Sequence, residues 1–435
     1  MKKLVLMMVG LFLISSAYAQ DKEALKAQKE AMKEAEKVVK KATTIYETSI
    51  PNQQYGRKET DFEKLAGALP LIQEAIANEY TKNDAQTWKT AADVEYEYYK
   101  KSENAIKADP DNESLKQSYI ESSAKILTYC IKYDSLMVLN TKMKPEDMKK
   151  EHMHYQQMAV NPAAQLLQAA QSYSNSDDQA ELKKGAKYAE DFLYAIEKSH
   201  LLSDFSNPNI SLSDWKTFAR AFRAQSYYSI TGTPEEKIVA AYKDLMDTRF
   251  KGVAYQSLSN YFRERNADKQ NQYLQEGIEA LKNDAEQKEL RANFAFILMQ
   301  NLFQKGDKEG FKKIAELIKT EFADNENTVN VYLREGQLAF DEKKYDEAKA
   351  IFLDAKEKFP NEHNCLLMAA RSAWQKANVG GSKKPDMDEA IRLFKQLEAE
   401  NPSDPEMWGE SLYILYNNTQ QATLAAPYKK YYQPK

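Results

Sequence analysis

A chain of 435 residues with 43% apolar side chains can bury a sizeable core, and its formal charge of −4 is spread over interspersed acids and bases. It has no basic stripe of the kind that neutralises phosphates, which argues against a nucleic-acid partner. Only 13 glycines and 13 prolines punctuate a sequence rich in Ala, Lys, Glu, Gln and Leu, a composition that favours long helices over many short strands.

The chain opens on Met1-Lys-Lys, an apolar run from Leu4 to Ile14, and the small residues Ala17 and Ala19 around Tyr18. These are the three parts of a secretory signal peptide, residues 1–19, with cleavage expected after Ala19. The alternative is a first buried helix, but the charged run Asp21-Lys22-Glu23 follows with no turn chemistry between. The apolar run is about half of the ~20 residues a membrane-spanning helix needs, and no later stretch is apolar enough to span. With no cysteine at the cleavage point, a lipid anchor is not expected. A periplasmic or secreted protein is.

Residues 20–55 follow as a charged N-terminal element, in which Lys22 to Thr43 reads as one amphipathic helix, either a solvated cap or a mobile arm, the cap being preferred. Over residues 56–328 the pattern is one of degenerate helical hairpins. Trp88-Lys-Thr-Ala-Ala92 and Trp215-Lys-Thr-Phe-Ala219 read as openings of first helices, each with a small residue four positions after the Trp. Ala105 to Pro110 reads as a hairpin ending. Ala163 to Ser172 and Ala186 to Lys198 should pair across a polar loop, Ser174 to Asp178. So should Ala254 to Arg265 with Tyr273 to Leu281, and Asn293 to Phe303 with Phe311 to Thr320 around Lys305-Gly-Asp307.

The clearest unit runs from Val329 to Glu362. Its first helix carries Tyr332 and Gly336, its second Tyr345, Ala348, Phe352 and Ala355, and Pro360 closes it. The next repeats the pattern with Ala390, Phe394 and Pro402, interrupted by Asn378 to Pro385, which predicts a turn longer than usual. A third opens at Asp404 to Trp408 and ends in a cap, Ala422 to Tyr432. Spacing and residue types over 329–435 resemble the tetratricopeptide repeat (TPR) family, whose period is about 34 residues. Export combined with that repeat suggests a bacterial, Bacteroidota-like TPR protein. The departures are Glu335 before Gly336, and Ala339 where the family usually has Tyr.

The resemblance implies an all-α, right-handed superhelical solenoid of antiparallel helix hairpins, in which small residues such as Gly336 and Ala348 let paired helices approach. It also implies a concave groove lined by first helices. The inward-facing residues would be Asn330, Leu333, Gln337 and Phe340, then Asn364, Leu367, Arg371 and Trp374. Leu333 and Gln337 replace the Lys and Asn with which the family's chaperone-tail binders hold a terminal carboxylate, so that ligand class is not implied. The expected function is a protein–protein interaction scaffold holding a polypeptide or an envelope protein. A glycan- or nutrient-binding accessory role, as in helical starch-binding proteins, is the alternative.

No motif for catalysis is present: there is no nucleophile elbow, phosphate-cradling loop, Cys-x-x-Cys or His-Glu-x-x-His. An enzyme is not expected, nor a cofactor. His152-Met153-His154 with Met158 has the ligand types of a copper site, but two residues of helix separate the imidazoles onto nearly opposite sides. The reading preferred is surface histidines and no metal site. His200 and His363 fall at presumed helix boundaries. Asp109 to Glu113 reads as a turn, lacking the glycine and distal Glu of a calcium loop. Asp134-Ser-Leu136 matches a loose O-glycosylation tripeptide of some Bacteroidota periplasmic proteins. Cys130 and Cys365 are expected as buried thiols unless the ends of the solenoid meet. The 27 tyrosines, grouped at Tyr96 to Tyr99, Tyr227-Tyr228 and Tyr431-Tyr432, should mainly fill gaps between repeats.

Overall fold

The computed structural model describes residues 2–207, 210–381 and 384–432, with side chains described from residue 24 onward. The leader expected at Met1 to Ala19 thus lies outside the residues whose side chains are described. The fold is all-α: the chain forms antiparallel helix hairpins, and no strand occurs among the described residues beyond two isolated bridges. It divides into two compact units, Met1–Phe250 and Lys251–Lys435, so Val329 falls inside the second. Among the described residues no helix is long and apolar enough to cross a membrane.

The first unit comprises α1 (Lys2–Ser49), α2 (Phe62–Leu65), α3 (Leu69–Ala77), α4 (Ala85–Ala108), α5 (Glu113–Met137), α6 (Pro145–Ser174), α7 (Gln179–Glu197), α8 (His200–Ser203), α9 (Leu212–Ser229) and α10 (Glu235–Lys243). Short polar side chains start the helices: Asp84, Asn112 and Asp178 each accept a backbone N–H of the first turn. Asp109 to Glu113 is accordingly the turn expected. The helices α4, α5 and α6 run to 24, 25 and 30 residues, longer than any in the second unit. The helix expected over Ala163 to Ser172 begins much earlier, at Pro145, and α6 passes through Pro162. The ring costs one backbone hydrogen bond, but Pro162, Ala163, Leu166 and Leu167 are all buried between neighbouring helices, and that packing outweighs the local penalty. From residue 24 to 34 α1 is exposed; Ala35, Val39 and Ala42 then bury against α3 and α4, with a Thr43–Thr90 hydroxyl contact of 2.8 Å.

The second unit comprises α11 (Lys251–Phe262), α12 (Ala267–Ala280), α13 (Lys288–Lys305), α14 (Lys308–Glu321), α15 (Val329–Asp341), α16 (Tyr345–Lys358), α17 (His363–Val379), α18 (Lys384–Glu400), α19 (Gly409–Asn418) and α20 (Ala422–Ala425). Gly306, at φ 75°, ends α13, and the Asp307 side chain caps α14 on the Gly310 N–H. The segment Asn378 to Pro385 turns at Gly380 and Gly381, the latter in the left-handed region at φ 77°, but its ends at Asn378-Val379 and Lys384-Pro385 are helical, so that α17 and α18 run to 17 residues each; Ser382 and Lys383 lie outside the described residues. The end of the chain is more than a solvated cap: Tyr428 is buried and Tyr431 packs edge-on to Trp408.

Close approach in the clearest hairpin works differently from the expected Gly336–Ala348 contact. A Cβ on Gly336 would lie 2.5 Å from two ring atoms of Phe352, so the glycine is required by the aromatic ring. Gly277 stands in the same relation to Phe294, at 2.7 Å. Both rings are essentially inaccessible. Cys130 and Cys365 are free and buried, and burial pushes the Cys365 thiol up to about 11, away from reactive thiolate chemistry. We expect Gly336→Ala and Gly277→Ala each to lower unfolding free energy by roughly 1–3 kcal/mol, the overpacking penalty. Gly67→Ala, whose Cβ would meet only Ile45 at 3.7 Å, should be near neutral in the same urea titration.

Candidate functional site

Successive first helices of the second unit, α11, α13 and α15, line a groove of about 490 Å3. On α11 the exposed Gln256 and Asn260 stand one helical turn apart, with Arg263 the next turn on. On α13 the same spacing presents Asn293, Ile297 and Gln300. At α15 Asn330 and Arg334 stand one turn apart, with Asn327 in the short helical turn just before the helix. Gln256, Asn293 and Asn330 lie at equal intervals along the chain, so the repeat itself places an amide at one level of each helix. Phe294 and Met299 are buried beneath, while Phe296 and Ile297 are half-buried.

The polar lining is unusual in what it lacks. No acidic residue contributes to it. Among the described residues, the side-chain amides of Gln256, Asn293, Gln300 and Asn330 meet no hydrogen-bond partner. Asn260 accepts from the Arg263 guanidinium at 2.6 Å, and the Arg334 guanidinium sits 5.0 Å from the centre of the Phe303 ring. Neither arginine forms an ion pair among the described residues. These groups can donate to and accept from an extended main chain, or grip a carboxylate, while Ser259, which also lines the groove, donates its hydroxyl to the Gln256 main-chain carbonyl.

Of the residues expected to face a ligand, Asn330 lines this groove. The others do not. Leu333 is half-buried, and Gln337 donates to Asp341 at 2.7 Å. Phe340 packs edge-on to Tyr345, Trp374 edge-on to Phe394, and the Asn364 amide donates to Glu362. Leu367 is buried in the core, whereas Arg371 is exposed. Sequence reasoning missed the groove because it trusted the repeat only from Val329 onward. The equally spaced amides on α11 and α13 were the signal available.

The first unit holds a polar network of a different kind. Lys89 of α4 donates to Glu151 of α6 at 2.7 Å, Tyr133 of α5 donates to Glu151 at 2.8 Å, and the Tyr155 hydroxyl donates to Asp93 at 2.5 Å. Burial raises the Asp93 carboxyl above the ordinary range. Burial acts the same way on Glu151, but the hydrogen bonds from Lys89 and Tyr133 outweigh it and hold that carboxyl low. Each member spends its capacity on another member, so the network binds helices to one another and leaves little for a ligand.

His152 was expected on the surface, and it is instead half-buried between two carboxylates. Its Nδ1 lies 2.7 Å from Asp134 and its Nε2 3.3 Å from Asp204, whose carboxylate also accepts from Gln156. A ring that donates to both carboxylates needs a proton on each nitrogen, which the imidazolium supplies. His154 is exposed, Met158 is buried, and among the described residues no group of three or more His, Cys, Asp or Glu could hold a metal ion. His200 and His363 are the first residues of α8 and α17. Asp134-Ser-Leu136 lies within α5 with Asp134 buried, and the tyrosine groups pack: Tyr99 on Tyr119, Tyr98 on Phe62, Tyr228 on Tyr242 and Tyr432 on Tyr413.

No protein-family model matches the chain, and no characterised protein matches it in sequence. Among solved structures it is similar to yeast Tom70, with 11% identity over 90% of this chain and 91% of that one and a TM-score of 0.31. It is also similar to the P58(IPK) TPR domain, with 16% identity over 88% and 99% and a TM-score of 0.24. A circular tandem repeat protein gives 12% identity over 92% and 94% with a TM-score of 0.22. At these scores the likenesses bear on neither function nor partner.

Burial opposes charge on His152, but the hydrogen bonds and charges of Asp134 and Asp204 outweigh it and raise the imidazole above its ordinary 6.5. A raised folded value means the ring contributes stability fully below the unfolded value and loses it as pH rises through the folded one. The thermal midpoint of the native chain minus that of His152→Gln should therefore be largest below pH 6.5 and shrink as pH rises above it. A pH-independent difference would show that the imidazolium plays no part.

Proposed function

We propose that this chain is an exported, non-catalytic scaffold that holds a polypeptide, belonging to a partner in the cell envelope, in the groove across α11, α13 and α15. The observation that carries the reading is the row of unpartnered amides presented by three successive first helices. A peptide main chain offers alternating donors and acceptors, and a side-chain amide matches both. Export rests on the leader expected at residues 1–19, and an envelope partner follows from that compartment.

Asn293→Ala combined with Asn330→Ala removes two such amides without touching the core. Each lost hydrogen bond should cost about 1 kcal/mol, about fivefold in affinity. In a crosslinking pull-down from the native envelope, the double variant should lose proteins the unaltered chain retains, with its helical circular dichroism unchanged. Phe340→Ala with Trp374→Ala alters the downstream face and should retain them. The opposite pattern would move the binding face to α15 and α17; equal capture by all three would refute the groove.

A further inference from the structure

The arginines of the groove carry more information than its amides. Four cations close to the groove's helices are matched to carboxylates: Arg291 to Glu321, Lys305 to Asp268, Lys308 to Glu342 and Lys319 to Glu335. Arg263 and Arg334 are not, though both are exposed and the chain as a whole is acidic. Each is held at one side only, Arg263 by the Asn260 carbonyl and Arg334 over the Phe303 ring. A guanidinium so held has lost part of its rotamer freedom while keeping N–H groups for a second partner. Arg371, exposed on the first helix of the following hairpin, also forms no ion pair among the described residues.

Resting on the polypeptide-holding reading above, we infer that the groove selects an acidic extended segment, with carboxylate side chains on Arg263 and Arg334 and its main chain on Asn293 and Asn330. Charge complementarity favours that occupant: the lining contains two fixed cations and no anion. The fork of a guanidinium matches a carboxylate through two parallel hydrogen bonds. A nucleic-acid strand would also meet the arginines. Its phosphodiester backbone has only acceptors, however, and would leave the amide carbonyls of Asn293 and Asn330 unmatched. Two or three cations also supply little of the charge that strand binding draws on. The half-buried Phe296 and Ile297 on the floor accommodate the uncharged side chains that alternate with the acidic ones along an extended segment.

Fluorescence anisotropy with the full chain tests this using three labelled probes. One is a peptide of about ten residues alternating Glu and Thr, the β-branched partner keeping it extended. The second replaces every Glu by Gln, and the third is a single-stranded oligoadenylate of matching length. The Glu peptide should bind at least tenfold more tightly than the Gln peptide. The preference should fall as salt is raised from about 0.05 to 0.5 M. Arg263→Gln and Arg334→Gln should each weaken Glu-peptide binding by about fivefold and together abolish the preference. Both side chains are exposed, so the variants should keep the native helical signal. Equal binding of the two peptides overturns acidic selection while leaving a polypeptide groove intact. Tighter binding of the oligonucleotide than of the Glu peptide overturns it too, as does failure of both peptides to bind. The envelope pull-down with the asparagine variants decides the broader reading separately.

Discussion

An aromatic ring on one helix needs a bare backbone on the helix opposite, and in the second unit that requirement decides how a hairpin closes. Phe352 occupies the space that a Cβ on Gly336 would fill within one hairpin, and Phe294 of α13 occupies that of Gly277 on α12, where one hairpin meets the next. A ring seated in this way removes its whole area from water, and the helix pair cannot slide without opening a void. The small residues Ala348, Ala355, Ala370 and Ala390, all fully buried, let successive hairpins stack on the first. A single hairpin has no other place to bury its second apolar face. Stacking in turn lays first helices side by side, and their outer turns become the walls of a groove.

The first unit meets the same need for hairpin stacking with longer helices and a different interior. Its core surrounds Tyr155, Phe192, Leu166 and Ile126, and through it runs the chain of polar contacts from Asp93 and Tyr155 to Lys89, Glu151 and Tyr133. Removing such groups from water is costly unless each finds a partner. Here each does, at the cost of little adaptability: the contacts join three helices in one register, and His152 bracketed by Asp134 and Asp204 adds a charge-dependent contact at their edge. The groove of the second unit is the reverse case. The amides of Gln256, Asn293, Gln300 and Asn330 meet no protein partner among the described residues and face water instead.

Much of this was legible in the residues themselves. The turns at Asp109 to Glu113, Ser174 to Asp178 and Lys305-Gly-Asp307 followed from their own residues, because capping and left-handed backbone are local chemistry that depends on a few neighbouring atoms. The hairpins and the buried Ala390 and Phe394 followed from periodicity. Other features resisted local reading. Pro162 signals a helix end to its neighbours in sequence, yet the helix continues because the packing around it is stronger than one lost hydrogen bond. The glycines at 380 and 381 signal a loop and do form the turn, yet the helices on either side extend to Val379 and from Lys384.

By itself, then, the sequence determined the all-α class, the hairpin as building unit and the placement of several turns, since each depends on interactions within a few turns of one chain segment. Tertiary structure alone decided which face is free. Leu367 was assigned to a groove by its place in a repeat and is buried, whereas Gln256 and Asn293, in repeats too degenerate to recognise, stand exposed beside Asn330. His152 looked solvated because Asp134 and Asp204, the two carboxylates that bracket it, lie far from it along the chain. Exposure and pairing depend on distances between segments remote in sequence, and periodicity within one helix carries no information about those distances.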